Sequence, residues 1–257
     1  MFGNQTVSVV IPAHNEEATI GEVVRGFRTQ APEVDEIVVV DNNCADRTAE
    51  IAAAAGARVV CESKPGYGSA LARGMDEAVG DLLVLVEADG SFKPTDVIKL
   101  LVYCGDAGLV VGTRTTRQMV EQGANMRSTL RWGNVFVAKC FELLWYASCE
   151  PRLTDVGCTY RALSRDTWRR IRPHLREPGP SFSPEMMAEA LIQRIRVIEV
   201  PVNYLRRRGG ESKHSASWPK IARTARGMIL TILRKRLEGF RRAPDPALVR
   251  GDVEVRT

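Results

Sequence analysis

Short apolar runs that alternate with helical periodicity constrain this chain more than any other feature. Residues 7–11 are β-branched except at Ser8 and are closed by Pro12; Ile20, Val23, Val24 and Phe27 then recur at i, i+3, i+4 and i+7, the stripe of an amphipathic helix. The same alternation continues through strand-like runs at 37–40, 58–61, 82–86 and 109–111, with helical patterns between them. Parallel neighbours need crossovers, so five such units predict an α/β fold whose mostly parallel sheet is covered on both faces. Beyond residue 113 the pattern is less regular. Helices are expected over 131–149 and 184–192, a turn and short strand over 154–162, and an edge strand over 197–202, where Pro201 lacks an amide hydrogen.

The strand ends carry the chemistry. Pro12-Ala13-His14-Asn15-Glu16, Asp41-Asn42-Asn43-Cys44-Ala45-Asp46 and Glu87-Ala88-Asp89-Gly90-Ser91 each follow an apolar run. In a parallel sheet such loops emerge on one edge, so carboxylates distant in sequence converge on one ligand. No glycine-rich turn follows the first strand, no Gly-Lys-Ser/Thr makes a P-loop and no Gly-x-Ser-x-Gly makes a nucleophile elbow. What remains is an acidic site that handles phosphate through a hard cation: magnesium or manganese is typically shared between one or two carboxylates and substrate phosphates. Asp89, with Glu87 or Ser91 assisting, fits that role. The bland alternatives are turn, cap and dipole residues, which Asp41, Asp46, Glu16 and Glu17 also suit.

Six cysteines at irregular spacings and three histidines indicate neither a zinc cluster nor a disulfide scaffold, and the expectation is reduced thiols in a cytoplasmic protein. No segment approaches the roughly 18 to 20 apolar residues that spanning a bilayer requires, and the start lacks the pattern of a secretory signal. The net charge of +5 is uneven. Lys220, Arg223, Arg226, Arg234, Lys235, Arg236, Arg241 and Arg242 surround a single acid, Glu238, and interleave with Trp218, Ile221, Ala222, Ala225, Met228, Ile229, Ile232, Leu237 and Phe240 at helical spacing. Such a basic amphipathic helix can lie on an anionic membrane surface, or pack its stripe on the domain and turn a basic face to solvent. Nothing supports nucleic-acid binding, because no recognised fold or aromatic platform accompanies the charge.

The motifs Val9-Val10-Ile11-Pro12-Ala13-His14-Asn15-Glu16-Glu17, Asp41 to Thr48, Gly66-Tyr67-Gly68-Ser69-Ala70-Leu71 and Glu87-Ala88-Asp89 resemble family 2 glycosyltransferases of the GT-A fold. Asp155-Val156-Gly157-Cys158-Thr159-Tyr160-Arg161, Glu199-Val200-Pro201-Val202 and Gly210-Glu211-Ser212-Lys213 are similar to the branch of polyprenyl-phosphate mannosyl- and glucosyltransferases. The resemblance implies a GT-A catalytic domain over 1–213, followed by the basic helical segment 214–242 and a disordered tail over 243–257. It implies transfer of a hexose, with inversion, from a UDP- or GDP-linked sugar to an acceptor such as a lipid phosphate, with Mg2+ or Mn2+ as cofactor. By the same resemblance Pro12, His14, Glu16, Asp41, Glu87 and Arg114 line the donor pocket, and Asp89 binds metal with Glu87 and Ser91. Arg127, Arg131, Arg161, Arg206 and Lys213 meet acceptor or phosphate, and Asp155 or Glu185 serves as catalytic acid or base.

Two departures stand out: Glu87 where an Asp is usual, and Asn42-Asn43-Cys44 in place of Asp-Gly-Ser. Two rival classes remain. A sugar nucleotidyltransferase would open on a Gly-rich, Arg-containing loop, and a non-catalytic nucleotide-sugar binder would tolerate Glu87. A hydroxyl acceptor would need a base that a lipid phosphate does not.

Overall fold

The computed structural model describes residues 1–124, 128–149, 151–208 and 218–242. Arg127, Lys213, the 213/214 boundary and the 243–257 tail lie outside them. A seven-stranded sheet has the order β3-β2-β1-β4-β6-β5-β7. β1 (Val7–Ala13), β2 (Glu36–Asp41), β3 (Arg58–Cys61) and β4 (Leu82–Leu85) pair in parallel, with α1 (Ile20–Gln30), α2 (Thr48–Ala54) and α3 (Tyr67–Glu77) as their crossovers. β1, β2 and β4 read as unbroken apolar runs because helices cover both faces, and their central residues are wholly buried.

The second half departs from simple alternation. α4 (Val97–Val102) leads to β5 (Leu109–Thr113), but β5 does not join β4. β6 (Arg161–Ser164) inserts between them, antiparallel to both, in register Val84↔Ala162 and Val110↔Ala162. Of the turn and short strand expected over 154–162, the strand is thus the end and runs on to Ser164. β7 (Val197–Pro201) runs parallel to β5 at the sheet edge, where Pro201 faces no further strand among the described residues. A short helix that the sequence pattern did not single out, α6 (Arg165–Ile171), follows β6; its N-cap Ser164 accepts a hydrogen bond from Thr167 N.

α7 (Phe182–Ile192) is buried on every side, from Phe182 through Leu191. It lies between the α3 side of the domain and α8 (Trp218–Arg241), which also touches α5 (Ser128–Cys149). The α7–α8 contact is ionic at its centre. Glu189, wholly buried, meets Lys235 Nζ at 2.7 Å and an Arg242 nitrogen at 2.6 Å, while Arg234 reaches Glu177 and Glu185 at 2.8 and 3.0 Å.

α8 follows its amphipathic pattern only in part: Ile232 is buried, Ile229 packs against the core, and Arg223, Arg226, Arg234 and Arg241 are exposed, as a stripe packed on the domain requires. Yet Lys235 is 1% exposed, whereas Leu230, Leu233, Leu237 and Phe240 face outward. The physical reason is that buried Glu185 and Glu189 need cations more than the sheet needs further apolar cover. Among the described residues no helix is long and apolar enough to cross a membrane.

Candidate active site

Residues at the carboxyl ends of β1, β2 and β4 gather on one edge. Asp41 ends β2, and its Oδ1 accepts from Cys44 N at 2.8 Å. His14 is exposed, with Nδ1 2.8 Å from Asn42 O. Glu16 sits in the turn before α1, where its main-chain N–H donates to Thr48 Oγ1 and its carboxylate accepts from Thr19 Oγ1. Pro12 is half-buried within β1. Asn42 explains one departure from the family pattern: its Nδ2 donates to Glu62 O and Lys64 O while its Oδ1 accepts from Gly66 N. An aspartate has no N–H with which to make the first two bonds.

The Gly66-Tyr67-Gly68 turn is a packing device. Pro178 O caps the start of α3 by accepting from Gly68 N at 2.7 Å, and a Cβ on Gly66 or Gly68 would fall 2.2 or 2.3 Å from the carbonyls of Pro178 and Glu177. Tyr67 Oη then lies 2.5 Å from Thr159 Oγ1, which donates to Glu87 Oε1 at 2.7 Å. The longer reach of Glu87 ends on this hydroxyl. Burial, then the neighbouring Asp89 carboxylate, push the Glu87 carboxyl up to about 7.

Asp89 is 2% exposed. Ser91 N donates to its Oδ1 at 2.9 Å, fixing the turn, while Oδ2 and the buried Ser91 Oγ have no hydrogen-bond partner among the described residues. A guanidinium nitrogen of Arg207 lies 2.7 Å from Asp89 Oδ2 and 3.5 Å from Glu87 Oε2; the close approach to Asp89 is an ion pair without hydrogen-bond alignment. Among the described residues no group of three or more His, Cys, Asp or Glu side chains forms a metal cluster. The two carboxylates and one hydroxyl are nevertheless hard oxygen donors. With two of their buried oxygens unsatisfied, they fit Mg2+ or Mn2+ completed by substrate phosphate and water.

Arg114 and Asp155 form the second half of the site. Arg114 donates from Nε (2.7 Å) and a terminal nitrogen (2.9 Å) to the Asp155 carboxylate and lies over the Tyr204 ring at 5.4 Å. Asp155 also accepts from Arg114 N, Gly157 N and Asn134 Nδ2. Burial works against the charge of Arg114, and the Asp155 carboxylate more than offsets it. Below the pair, Glu199 accepts from Thr154 N and Asp155 N at 2.6 and 2.7 Å, and burial, then Asp155, push its carboxyl up to about 7.

Two candidates have other employment. Arg161, 1% exposed, donates to the carbonyls of Cys158, Val156 and Ser183, so its donors tie β6 to α7 rather than facing a phosphate. Glu185 accepts from Arg176 N, Glu177 N and Arg234, on the α8 side of α7. Two helical positions rotate by about 200°, so while Ser183 faces Tyr67 and Arg161, Glu185 turns away from them. Arg131 lies on the first turn of α5 against the Trp132 ring.

The sequence reads Arg206-Arg207-Arg208 as a basic loop able to close on phosphates but singles out Arg206, not Arg207. The available signal was period two: if β7's extended path continues, Arg206 and Arg208 share one side and Arg207 takes the other. Arg206, Arg207 and Arg208 line a cleft of about 560 Å³ with Lys93, Leu205 and Glu121.

The buried acids set an expected pH dependence. Glu87, Glu185 and Glu199 are raised in the fold, so the unfolded chain loses their protons first and stability falls as pH rises from about 4.3 toward 7. Glu36 and Glu189 are lowered, so their contribution is lost as pH falls below that range. Denaturant midpoints measured from pH 4 to 8 without metal should peak at about pH 5 rather than at neutrality.

The family model described as glycosyl transferase family 2 matches residues 8–172. An uncharacterised glycosyltransferase of Mycobacterium tuberculosis is 33% identical over 239 residues, covering 90% of this chain and 97% of the relative. The undecaprenyl-phosphate mannosyltransferase of Micrococcus luteus is 30% identical over 227 residues, 81% of this chain and 87% of that protein. Among solved structures, M. tuberculosis glucosyl-3-phosphoglycerate synthase superposes with a TM-score of 0.68 at 23% identity, over 95% of this chain and 83% of the other. That protein has also been solved with Mn2+, uridine diphosphate and glucosyl-3-phosphoglycerate. The match over most of the sheet-forming region, with relatives aligned along nearly their whole length, places the chain in glycosyl transferase family 2, as an enzyme of the GT-A fold.

Proposed function

We propose that this glycosyltransferase moves a hexosyl group from a nucleotide-diphosphate sugar to a phosphorylated acceptor, a polyprenyl phosphate. The observation that carries the reading is the juxtaposition of the Glu87–Asp89–Ser91 oxygens with a cleft lined by Lys93, Arg206, Arg207 and Arg208. Acids that hold a divalent ion serve the departing diphosphate, and cations beside them bind a second phosphate. Both candidate bases support the choice of acceptor. Asp155 is bound to Arg114, and Glu185 is bound to Arg234 and two main-chain N–H groups, whereas a phosphate oxygen is already anionic and needs no base.

The acceptor oxygen attacks the anomeric carbon as the bond from that carbon to the diphosphate breaks. Asp155 positions Arg114 toward the acid pair, and Lys93 and Arg206 hold the acceptor phosphate at the cleft. Asp89, Glu87 and Ser91 would hold Mg2+ or Mn2+, which when bound neutralises charge developing on the leaving diphosphate. Pro12, His14, Glu16 and Asp41, at the ends of β1 and β2, form the nucleoside side of the site. A lipid acceptor also suits the outward apolar side chains of α5 (Trp132, Phe136, Leu143, Tyr146) and of α8, exposed side chains of the kind that meet a membrane.

The test is transfer from radiolabelled UDP- and GDP-hexoses to undecaprenyl phosphate in detergent micelles with Mn2+. A chloroform-soluble, acid-labile product is expected. Turnover only onto a soluble phosphorylated hydroxyl compound would overturn the acceptor, and binding without transfer to either would overturn the enzyme reading of this site.

A further inference from the structure

The segment after β7 is laid along the acid loop. Leu205 N donates to Ser91 O at 2.7 Å and Arg208 N to Asp89 O at 3.2 Å, so Arg207 is held between two main-chain bonds with its side chain over the carboxylates. Arg208 is further tied by an ion pair to Glu22 on α1. The Arg207 side chain is 23% exposed and its guanidinium meets Asp89 and Glu87 together. Yet the hydrogen bonding there is incomplete: Arg207 Nε, Asp89 Oδ2 and Ser91 Oγ are all buried without an aligned partner among the described residues. A guanidinium offers five donors and no acceptor, so it balances charge here but leaves the Ser91 hydroxyl proton without a partner. A divalent ion would use both orphaned oxygens as ligands.

The charges decide which cation belongs where. With both carboxylates ionised, one guanidinium leaves a residual charge of −1, whereas a divalent ion makes the pair neutral. When a nucleotide diphosphate arrives on that ion, its surplus negative charge attracts the guanidinium more than the neutralised acids do. We infer that Arg207 is the resident cation of the Glu87–Asp89 pair in the donor-free enzyme, that it competes with the divalent ion for these acids, and that it moves onto the diphosphate when metal and donor bind together. Arg207 is thus a positioning residue that keeps the affinity for metal alone low and makes metal and donor binding cooperative. The inference rests on the reading of Glu87 and Asp89 as the metal acids.

Mn2+ alone is titrated into the full chain, and the free-ion electron paramagnetic resonance signal is read with and without uridine or guanosine diphosphate. Arg207→Gln should bind Mn2+ alone about tenfold more tightly than the parent, roughly the effect of removing one partly screened positive charge at contact distance. With the diphosphate present the order should reverse, the parent binding Mn2+ more tightly than Arg207→Gln. Arg207→Lys, which keeps the charge, should stay near the parent in the absence of nucleotide. Thermal melts establish that each variant is folded, and Asp89→Ala should lose the Mn2+ signal change in both backgrounds. Equal or weaker Mn2+ binding by Arg207→Gln in the absence of nucleotide overturns the competition while leaving the glycosyl-transfer reading intact. If neither protein binds Mn2+ even with the diphosphate, the metal assignment itself falls and takes this inference with it.

Discussion

Asp89→Ala should lower kcat/KM for sugar transfer by a factor of about 10³ or more, while leaving the melting temperature within a few degrees of the parent. The size follows from the geometry. Asp89 is almost wholly buried, its Oδ1 is fixed by Ser91 N and its Oδ2 meets Arg207 with no aligned hydrogen bond among the described residues, so the side chain serves the ligand more than the fold. A metal-held diphosphate leaving group loses about 4 kcal/mol of transition-state stabilisation when its principal carboxylate goes, which is a thousandfold in rate. Asp89→Asn should fail nearly as badly, since a neutral amide is a poor partner for the ion. Glu87→Asp is the informative contrast. The shorter chain surrenders the Thr159 hydrogen bond, so a loss of about tenfold is expected from misplacement rather than from missing charge. Steady-state kinetics at saturating Mn2+ separate the cases, and an Asp89→Ala enzyme retaining a tenth of parental turnover would remove this residue from the metal site.

The acid pair was legible in the sequence because its signal is local: an apolar strand of known length ending in Glu-Ala-Asp-Gly-Ser. The strands β1, β2, β4 and β5 were legible for a similar reason, since a strand covered on both faces must be apolar throughout. Long-range facts were not. β6 has only Arg161-Ala162-Leu163-Ser164 to announce it, and its place between β4 and β5 is set by pairing with residues far away in the chain.

Charged residues were the hardest to place, because type and spacing do not say which partner wins. Arg161, in a motif that resembles a phosphate-binding one, is held by three carbonyls. Asp155 is bound by a guanidinium 41 residues earlier, and Lys235, in a stretch that reads as solvent-facing, is among the most buried side chains of the molecule. In each case the deciding quantity is the cost of leaving an opposite charge or a carbonyl unpaired in the interior, and that depends on the assembled fold.

The cluster around Lys235 gives the largest stability effect expected. Lys235 Nζ donates to Glu189 Oε2 at 2.7 Å and to His174 O at 2.6 Å, and lies 3.4 Å from Glu238. Lys235→Met preserves much of the side-chain volume while removing the charge and both hydrogen bonds. Glu189 then keeps Arg242 and Gln193 but loses its most buried cation, so the loss should fall near 3 kcal/mol, the low end for breaking a buried pair, or about 6 to 12 °C in melting temperature for a chain of this size. Glu189→Met alone should cost a similar amount, because among the described residues it leaves the buried Lys235 ammonium only Glu238 at 3.4 Å as a counter-charge.

The double variant is the decisive member of the cycle. Two methionines across the α7–α8 contact leave no unpaired buried charge between these positions, and stability should recover by at least half, since well-packed apolar replacements for buried ion pairs are often neutral or better. Additive losses would mean that the pair contributes by attraction rather than by mutual rescue from burial. The same cycle bears on the outward face of α8. If the ion pairs are what turn Leu230, Leu233, Leu237 and Phe240 to the surface, the double variant frees the helix to rotate that stripe inward, and their exposure to a surface-labelling reagent should fall even as stability returns.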